Sequence, residues 1–277
     1  MTFDPYAPYG PLVDSTMRLA TWNVWGRFGE WQPRQRGIED ALCAVVPDIV
    51  CLTESWSTED TDQSQSIGAR LDLAHRLFVG DRDEGGWTSG IGVVSRWPIS
   101  GHERVPLPGN DGAGVGETLY LTIDGPRGVV QLFVVMLDHP LDASGLRQAQ
   151  VRQLAEFAAR TTRRRLPLVV CGDFNAGPDS DELRMLTGQR EVPVPGLVFY
   201  DAWQMAGDGT PGHTWSNQNP LAASALWPDR RIDHILSAWP RVGGVGHPVG
   251  CELLGVTDTP GQPQLSDHYG LMADLRY

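Results

Sequence analysis

Five places along the chain set a polar residue at the end of an apolar run: Asn23 in TWNVW, Glu54 after DIVCLT, Asp173 and Asn175 in VVCGDFN, Asp233 in RIDHI, and Asp267 with His268 in SDH. Carboxylates brought together repel one another unless a cation lies among them or some stay protonated. Oxygen ligands without a thiolate suit a hard ion such as Mg2+ or Mn2+ better than zinc. A histidine beside such acids can be held in one tautomer and can exchange a proton near neutral pH. A divalent ion, an Asp–His pair and amide donors together describe hydrolysis of a phosphate ester. Taken singly, each place also has a plainer reading: Asp173 and Asn175 could cap a turn, and Asn23 could bond a neighbouring loop.

These residues need elements to position them. Leu168 to Cys171 is a short apolar run that reads as a strand covered on both faces and stops at Gly172. Alternate residues of an extended chain share a face, so Asp173 and Asn175 reach one spot beyond its carboxyl end, where open α/β sheets keep their sites. Met17 to Trp25 and Asp48 to Thr53 read as strands that deliver Asn23 and Glu54. Further strands are expected at Gly92 to Ile99, Thr118 to Ile123, Val129 to Leu137, Arg231 to Ala238 and Tyr269 to Leu275, with an irregular pair or edge over Gly243 to Gly255. The helical period appears in Gln35 to Val46 and Ser144 to Arg164, and a short helix is expected over Asp179 to Gly188. Trp56 to Ser66 and Gly80 to Gly90 read as solvated loops, Pro106 to Gly116 as a glycine-rich excursion, and Gly209 to Arg230, with Trp215 and Trp227, as a long loop that shapes a pocket. The run Arg163 to Arg165 suits a helix carboxyl terminus. Strands outnumber helices and no repeat or linker interrupts them, so residues 17–277 read as one α/β domain of packed sheets with helices outside, behind a loose arm over residues 1–16.

Composition removes several alternatives. All 22 basic residues are arginines, so Schiff-base and Walker-type lysine chemistry are excluded. A formal net charge of -12 gives no global attraction to nucleic acid or anionic membrane; nucleic acid stays possible as a partner but is not favoured. Cys43, Cys51, Cys171 and Cys251 have no CxxC spacing and read as reduced core residues. The amino terminus lacks the pattern of a signal peptide and no segment has the length of a membrane span, which makes a cytoplasmic monomer the expectation. Ser266, Asp267 and His268 are consecutive, and neighbours in an extended chain cannot assemble a nucleophilic triad.

From TWNVWG through DIVCLTE, GVVSRWPI, GDFN and RIDHI to SDH, the order and spacing of these blocks resemble the endonuclease/exonuclease/phosphatase superfamily, with the fold of deoxyribonuclease I. The resemblance covers nearly the whole chain. It implies an α/β (α+β) fold, a four-layer sandwich of two packed mixed β-sheets flanked by helices. By the same likeness Glu54 is the principal metal ligand, with Asn23 beside it and Asp267 joining it. Asp173 would orient or deprotonate the attacking water, and Asn175 would hold a phosphate oxygen. His268 would stabilise phosphoryl oxygens or transfer a proton, with Asp233 fixing its ring. The implied activity is metal-dependent attack of water on phosphorus; the acidic balance turns it towards a small phosphoester or phospholipid head group. The alternatives are a nuclease and a catalytically impaired homologue that binds a phosphorylated ligand. One departure stands out: the histidine of the family's THL motif falls at Met136 in VVMLDHP, and His139, three residues later, is the candidate for leaving-group assistance.

Overall fold

The computed structural model describes residues 4–109, 116–161, 166–256 and 263–277. The apolar runs become strands β1 (Thr16–Asn23), β2 (Ile49–Ser57), β3 (His75–Asp83), β4 (Thr88–Ser95), β5 (Ile99–Arg104), β6 (Glu117–Gly125), β7 (Gly128–Met136), β8 (Val169–Asp173), β9 (Phe199–Asp201), β10 (Asp233–Ala238), β11 (Pro248–Leu254) and β12 (Gly270–Arg276). The helices are α1 (Trp31–Val45), α2 (Gln63–Leu71), α3 (Ser144–Arg160), α4 (Asp181–Leu186), α5 (Ala202–Ala206) and α6 (Pro220–Ala223). One sheet has the order β11-β12-β1-β2-β4-β3 and the other β5-β6-β7-β8-β10-β9.

Alternation along the strands explains why they read as unbroken apolar runs. Leu19, Leu132 and Val134 point into the core between the sheets, while Trp22, Phe133 and Val135 point outwards against helices. Ile38 and Leu42 of α1 and Ile67 of α2 cover one sheet; Val151 and Leu154 of α3 and Leu183 of α4 cover the other. The result is the expected sandwich of helix, sheet, sheet and helix. Each sheet has one parallel pair, β1 with β2 and β7 with β8, joined through α1 and α3 respectively. Asn23 at the end of β1 donates to Asp173 at the end of β8 (3.1 Å), so the carboxyl ends of the two pairs meet.

Two expected loops are regular structure. Within and beyond Trp56 to Ser66, β2 continues to Ser57 and α2 begins at Gln63, capped by the Asp62 side chain accepting from Gln65 N. Gly80 to Gly90 belongs largely to the β3–β4 hairpin, where Gly80 and Gly90 are cross-strand partners. Helix α3 ends at Arg160, and Arg163 to Arg165 lie outside the described residues, as do residues 110–115 of the glycine-rich excursion. Ahead of β1, Gly243 N donates to Tyr9 O (2.7 Å), Val13 N to Gly243 O (2.9 Å) and Tyr277 N to Ser15 O (2.8 Å). Among the described residues no helix is long and apolar enough to cross a membrane.

Candidate active site

The chain leaves its strands here in conformations few residues adopt. Gly172 has φ +129, and a Cβ there would stand 2.0 Å from the Val135 carbonyl oxygen, so only glycine lets β8 run this close to β7. Trp25, Glu54 and Asn175 lie in the left-handed region at φ 53, 49 and 50. At Glu54 the cause is a break in the β2 register between Leu52 and Ser55. The turn is pinned by Val24 N donating to Thr53 O (3.0 Å) and Gly26 N to Glu54 O (2.9 Å).

Register aligns Met136 with Asp173, and Asp173 with Asp233, in one row across three strands. His268 enters this row from the loop before β12. Its Nδ1 lies 2.8 Å from Asp233 Oδ2 and its Nε2 3.9 Å from Asp173 Oδ2. Burial alone would lower the His268 pKa, but the charges of Asp233 and Asp173 outweigh it and carry the imidazole up to about 10. Burial, reinforced by Asp233, raises Asp173 to about 7, although it accepts hydrogen bonds from Asn175 N (2.8 Å) and Asn23 Nδ2 (3.1 Å). Ligand-type atoms of Asp173, Asp233 and His268 lie within 4.8 Å of one another, a spacing that would admit a cation. Yet His268 Nδ1 and both Asp173 oxygens are already engaged, so the trio is a hydrogen-bonded network first.

A second acidic pair adjoins it. The Asn23 amide donates to Glu54 Oε1 (3.0 Å) as well as to Asp173, and its Oδ1 accepts from Trp25 N (3.1 Å). Burial raises Asp267 to about 6, the His268 charge opposing and the Glu54 charge adding to the rise. Two like-charged carboxylates half out of water, with oxygen as the only donor atom, fit a hard divalent cation. Glu54 and Asp267 would hold it; Asn23 would join them through Oδ1 once its amide turns over.

Glu54, Asp173, Asp267 and His268 line one cleft of about 280 Å³, together with Asn175, Trp25, Arg82, Met136, His139, Trp215 and Trp227, while Asn23 and Asp233 support it from behind. Asn175 gives one amide hydrogen to Leu137 O (2.9 Å) and keeps a second. Trp215 sets its edge against His268 (5.1 Å) and tilts against Trp227 (5.5 Å). Met136 and His139 share the cleft, so the residue at the expected histidine position and its candidate replacement face the same space. Arg82, hidden in the glycine- and acid-rich GDRDEGG, is held by Glu84 Oε1 (2.7 Å) and Ser89 Oγ (3.0 Å). Only the pairing of HRLFVG with TSGIGVV could have revealed it. Arg96 pairs with Asp48 at the surface (2.7 Å).

Three buried arginines brace these loops, and their bracing contacts carried no sequence signal. Arg34 donates to the carbonyls of Val24, Trp25, Gly26, Phe28 and Leu265 at 2.8–3.1 Å. Arg147 joins Glu182 (3.0 Å) to the carbonyls of Asp138 (3.0 Å) and Pro140 (2.7 Å), which flank His139. His234 lies with Nδ1 2.9 Å from Arg231 Nη1 and 3.2 Å from Asp201 Oδ2, and its Nε2 donates to Ala176 O (2.9 Å), next to Asn175.

Comparison with known proteins agrees with this architecture. The family model described as Endonuclease/Exonuclease/phosphatase family matches residues 20–268. Protein angel of Drosophila melanogaster is 28% identical over 180 residues, 58% of this chain and 48% of its own length, so the chain spans about half of that relative. TDP2 of D. rerio, solved in complex with a single strand DNA product, superposes with a TM-score of 0.75 at 20% identity, covering 95% of this chain and 100% of that one. The human Nocturnin catalytic domain with bound sulfate anion gives 0.72 at 20% identity, covering 96% and 94%. With the two-sheet sandwich and the matched span together, the chain belongs to the Endonuclease/Exonuclease/phosphatase family.

Proposed function

We propose that the protein hydrolyses small phosphodiesters by attack of water in line with the leaving oxygen. The observation that carries this reading is the Asn23 amide bonded to both Glu54 and Asp173, which joins the acidic pair to the His268 network inside one cleft. Asp173, raised to about 7, takes the proton of the attacking water. His268, steadied through Nδ1 by Asp233, holds a phosphoryl oxygen at Nε2, and the Asn175 amide supports a second oxygen. Glu54 and Asp267 would hold Mg2+ or Mn2+, which would supply charge neutralisation at phosphorus. His139, which lines the cleft, would give the leaving oxygen its proton, the task that Met136 cannot perform. A diester is favoured over a monoester because the cleft sets Arg82 and His268 against Glu54, Asp173 and Asp267, and a monoester brings a second negative charge. The partly exposed rings of Trp25 and Trp227 on the cleft wall favour a nucleotide ester over a lipid head group.

A second reading, cleavage of single-stranded nucleic acid, is supported by the wall beside Trp25. There Arg27 lies over Trp31 (4.0 Å) and Trp56 (5.0 Å), and Phe28 packs on Trp87 (5.3 Å), an arrangement suited to stacked bases.

With Mg2+ or Mn2+, turnover of bis(p-nitrophenyl) phosphate is expected to exceed that of p-nitrophenyl phosphate, and EDTA should abolish it. Glu54→Gln should weaken metal binding by about 10–100-fold, read by calorimetry and by the metal dependence of turnover. Turnover that survives EDTA, or equal metal affinity in the variant, would refute the assignment. A short oligonucleotide cleaved faster than either ester would favour the second reading.

A further inference from the structure

A second cleft, of about 610 Å³, adjoins the tryptophan wall and is lined by Asp179, Thr210, His213, Asp229, Arg230 and Arg231 among others. It adjoins the catalytic cleft at two points. The loop that carries Asn175 continues into its lining at Gly177 and Pro178. Arg230 and Trp215 exchange backbone hydrogen bonds, each 2.9 Å, and the Arg230 guanidinium lies 5.5 Å from the Trp227 ring.

Arg230 differs from its neighbour. Arg231 has Nη1 on both Asp201 oxygens (2.9 and 2.7 Å). Among the described residues no carboxylate or carbonyl accepts from the Arg230 guanidinium, and its Nε and Nη2 are buried without a hydrogen-bond partner. The adjacent acid, Asp229, lines the same cleft, as Asp179 does, and its Oδ1 is engaged by Asn217 N (2.6 Å) and Nδ2 (3.0 Å). Burial lowers the Arg230 pKa, and the charge of Asp173 acts in the opposite sense, which puts the guanidinium within electrostatic reach of the catalytic carboxylate. A cation half removed from water with no protein acceptor is costly, and an anion or an ordered water must satisfy it. A guanidinium fork matches a phosphate in geometry and charge.

We propose that this second cleft is an anion subsite in which Arg230, with His213 beside it, receives a second phosphate of the same substrate. The inference rests on the phosphodiesterase reading and narrows its substrate to esters that carry another phosphate on the far side of the Trp215–Trp227 wall. Such a substrate is a nucleoside bisphosphate ester or the next linkage of a strand.

The test compares the p-nitrophenyl ester of thymidine 5′-monophosphate with the same ester bearing a 3′-phosphate, for the native chain, Arg230→Gln and Arg230→Lys, in Mg2+. The native KM is expected to be lower for the bisphosphate ester. That KM advantage should fall about tenfold in Arg230→Gln and less in Arg230→Lys, while kcat on the bisphosphate ester changes little. An unaltered KM ratio, or an equal loss on both esters, would overturn the subsite and leave Arg230 as a brace for the tryptophans. No turnover of either ester by the native chain would count against the phosphodiesterase reading instead. In that event calorimetry with inorganic pyrophosphate in EDTA decides: weaker binding to Arg230→Gln supports the subsite, and equal binding overturns it.

Discussion

Substitution of His268 by alanine is expected to lower kcat on a phosphodiester by roughly 10³–10⁴-fold, because a proton-bearing group and an oxyanion donor disappear together. The His268 ring is buried, bonded through Nδ1 to Asp233 and edged by Trp215, so it can present only Nε2 to the cleft. Asp233 acts through that ring and does not line the cleft. Asp233→Asn is therefore expected to cost on the order of 10²-fold alone and almost nothing further in the His268→Ala background, since residues that act as a unit are not additive. His268→Gln keeps an amide donor for Asp233 and controls for the carboxylate left without a partner. Steady-state kinetics on the four proteins of the cycle, with circular dichroism as a folding check, read the outcome. Losses that multiply in the double variant would mean that Asp233 works independently of His268, and the network described here would have to be redrawn.

Much of this site could be read from the chain because the same residues do two jobs. In VVCGDFN the apolar residues bury β8 on both faces, so the point where they stop fixes where Asp173 and Asn175 emerge. TWNVW, DIVCLTE and RIDHI follow the same logic at β1, β2 and β10, and with VVCGDFN and SDH they supply seven groups that meet within one cleft or its hydrogen-bonded rim. The elements that escaped notice bury the wrong kinds of residue for pattern reading. Helix α2 turns Gln63, Ser64 and Gly68 inwards with Ile67, since a Cβ at Gly68 would stand 3.0 Å from Leu73 O and 3.4 Å from Val94 Cγ1. Close packing there asks for a small residue, not an apolar stripe. In the β3–β4 hairpin, Gly80 and Gly90 look like loop punctuation, yet each lies too near the other's strand to carry a side chain, and a Cβ on Gly80 would meet Ser89 O at 2.4 Å. Arg34, Arg147 and Arg231 do their work on backbone carbonyls and on partners 30 or more residues away or within loops, and no local spacing encodes such contacts.

Arg34 bears the largest stability prediction. It sits on α1 at 3% exposure and its guanidinium lies 4.9 Å from the Trp25 ring. Burial lowers its pKa to about 10, with Asp267 opposing, so it remains charged at neutral pH. Its Nη1 joins Val24 O to Leu265 O, which ties the loop after Asn23 to the loop before Asp267 across 231 residues of sequence from Arg34 to Leu265. Its Nη2 holds three further carbonyls of the turn that contains Trp25 at positive φ. Arg34→Met keeps much of the apolar stem but leaves those carbonyls without donors. Part of that deficit is recovered by water at the half-exposed Trp25 and Phe28, so the expected loss is about 3–4 kcal/mol, or on the order of 10 °C in Tm for a chain of this size. Arg34→Lys can satisfy at most three carbonyls and should fall between the two. Where Arg34→Met still folds, kcat should drop by roughly 10²-fold, because Asn23 and Asp267 lose their common anchor and small displacements of positioned groups are expensive in rate. Urea unfolding gives the first quantity and turnover per folded molecule the second. A variant with a native midpoint and native kcat would show that the two loops hold their places without the clamp, and the geometry of the acidic pair would then have to come from the Asn23 amide and from Ser266 Oγ, which donates to Asn23 O (2.7 Å).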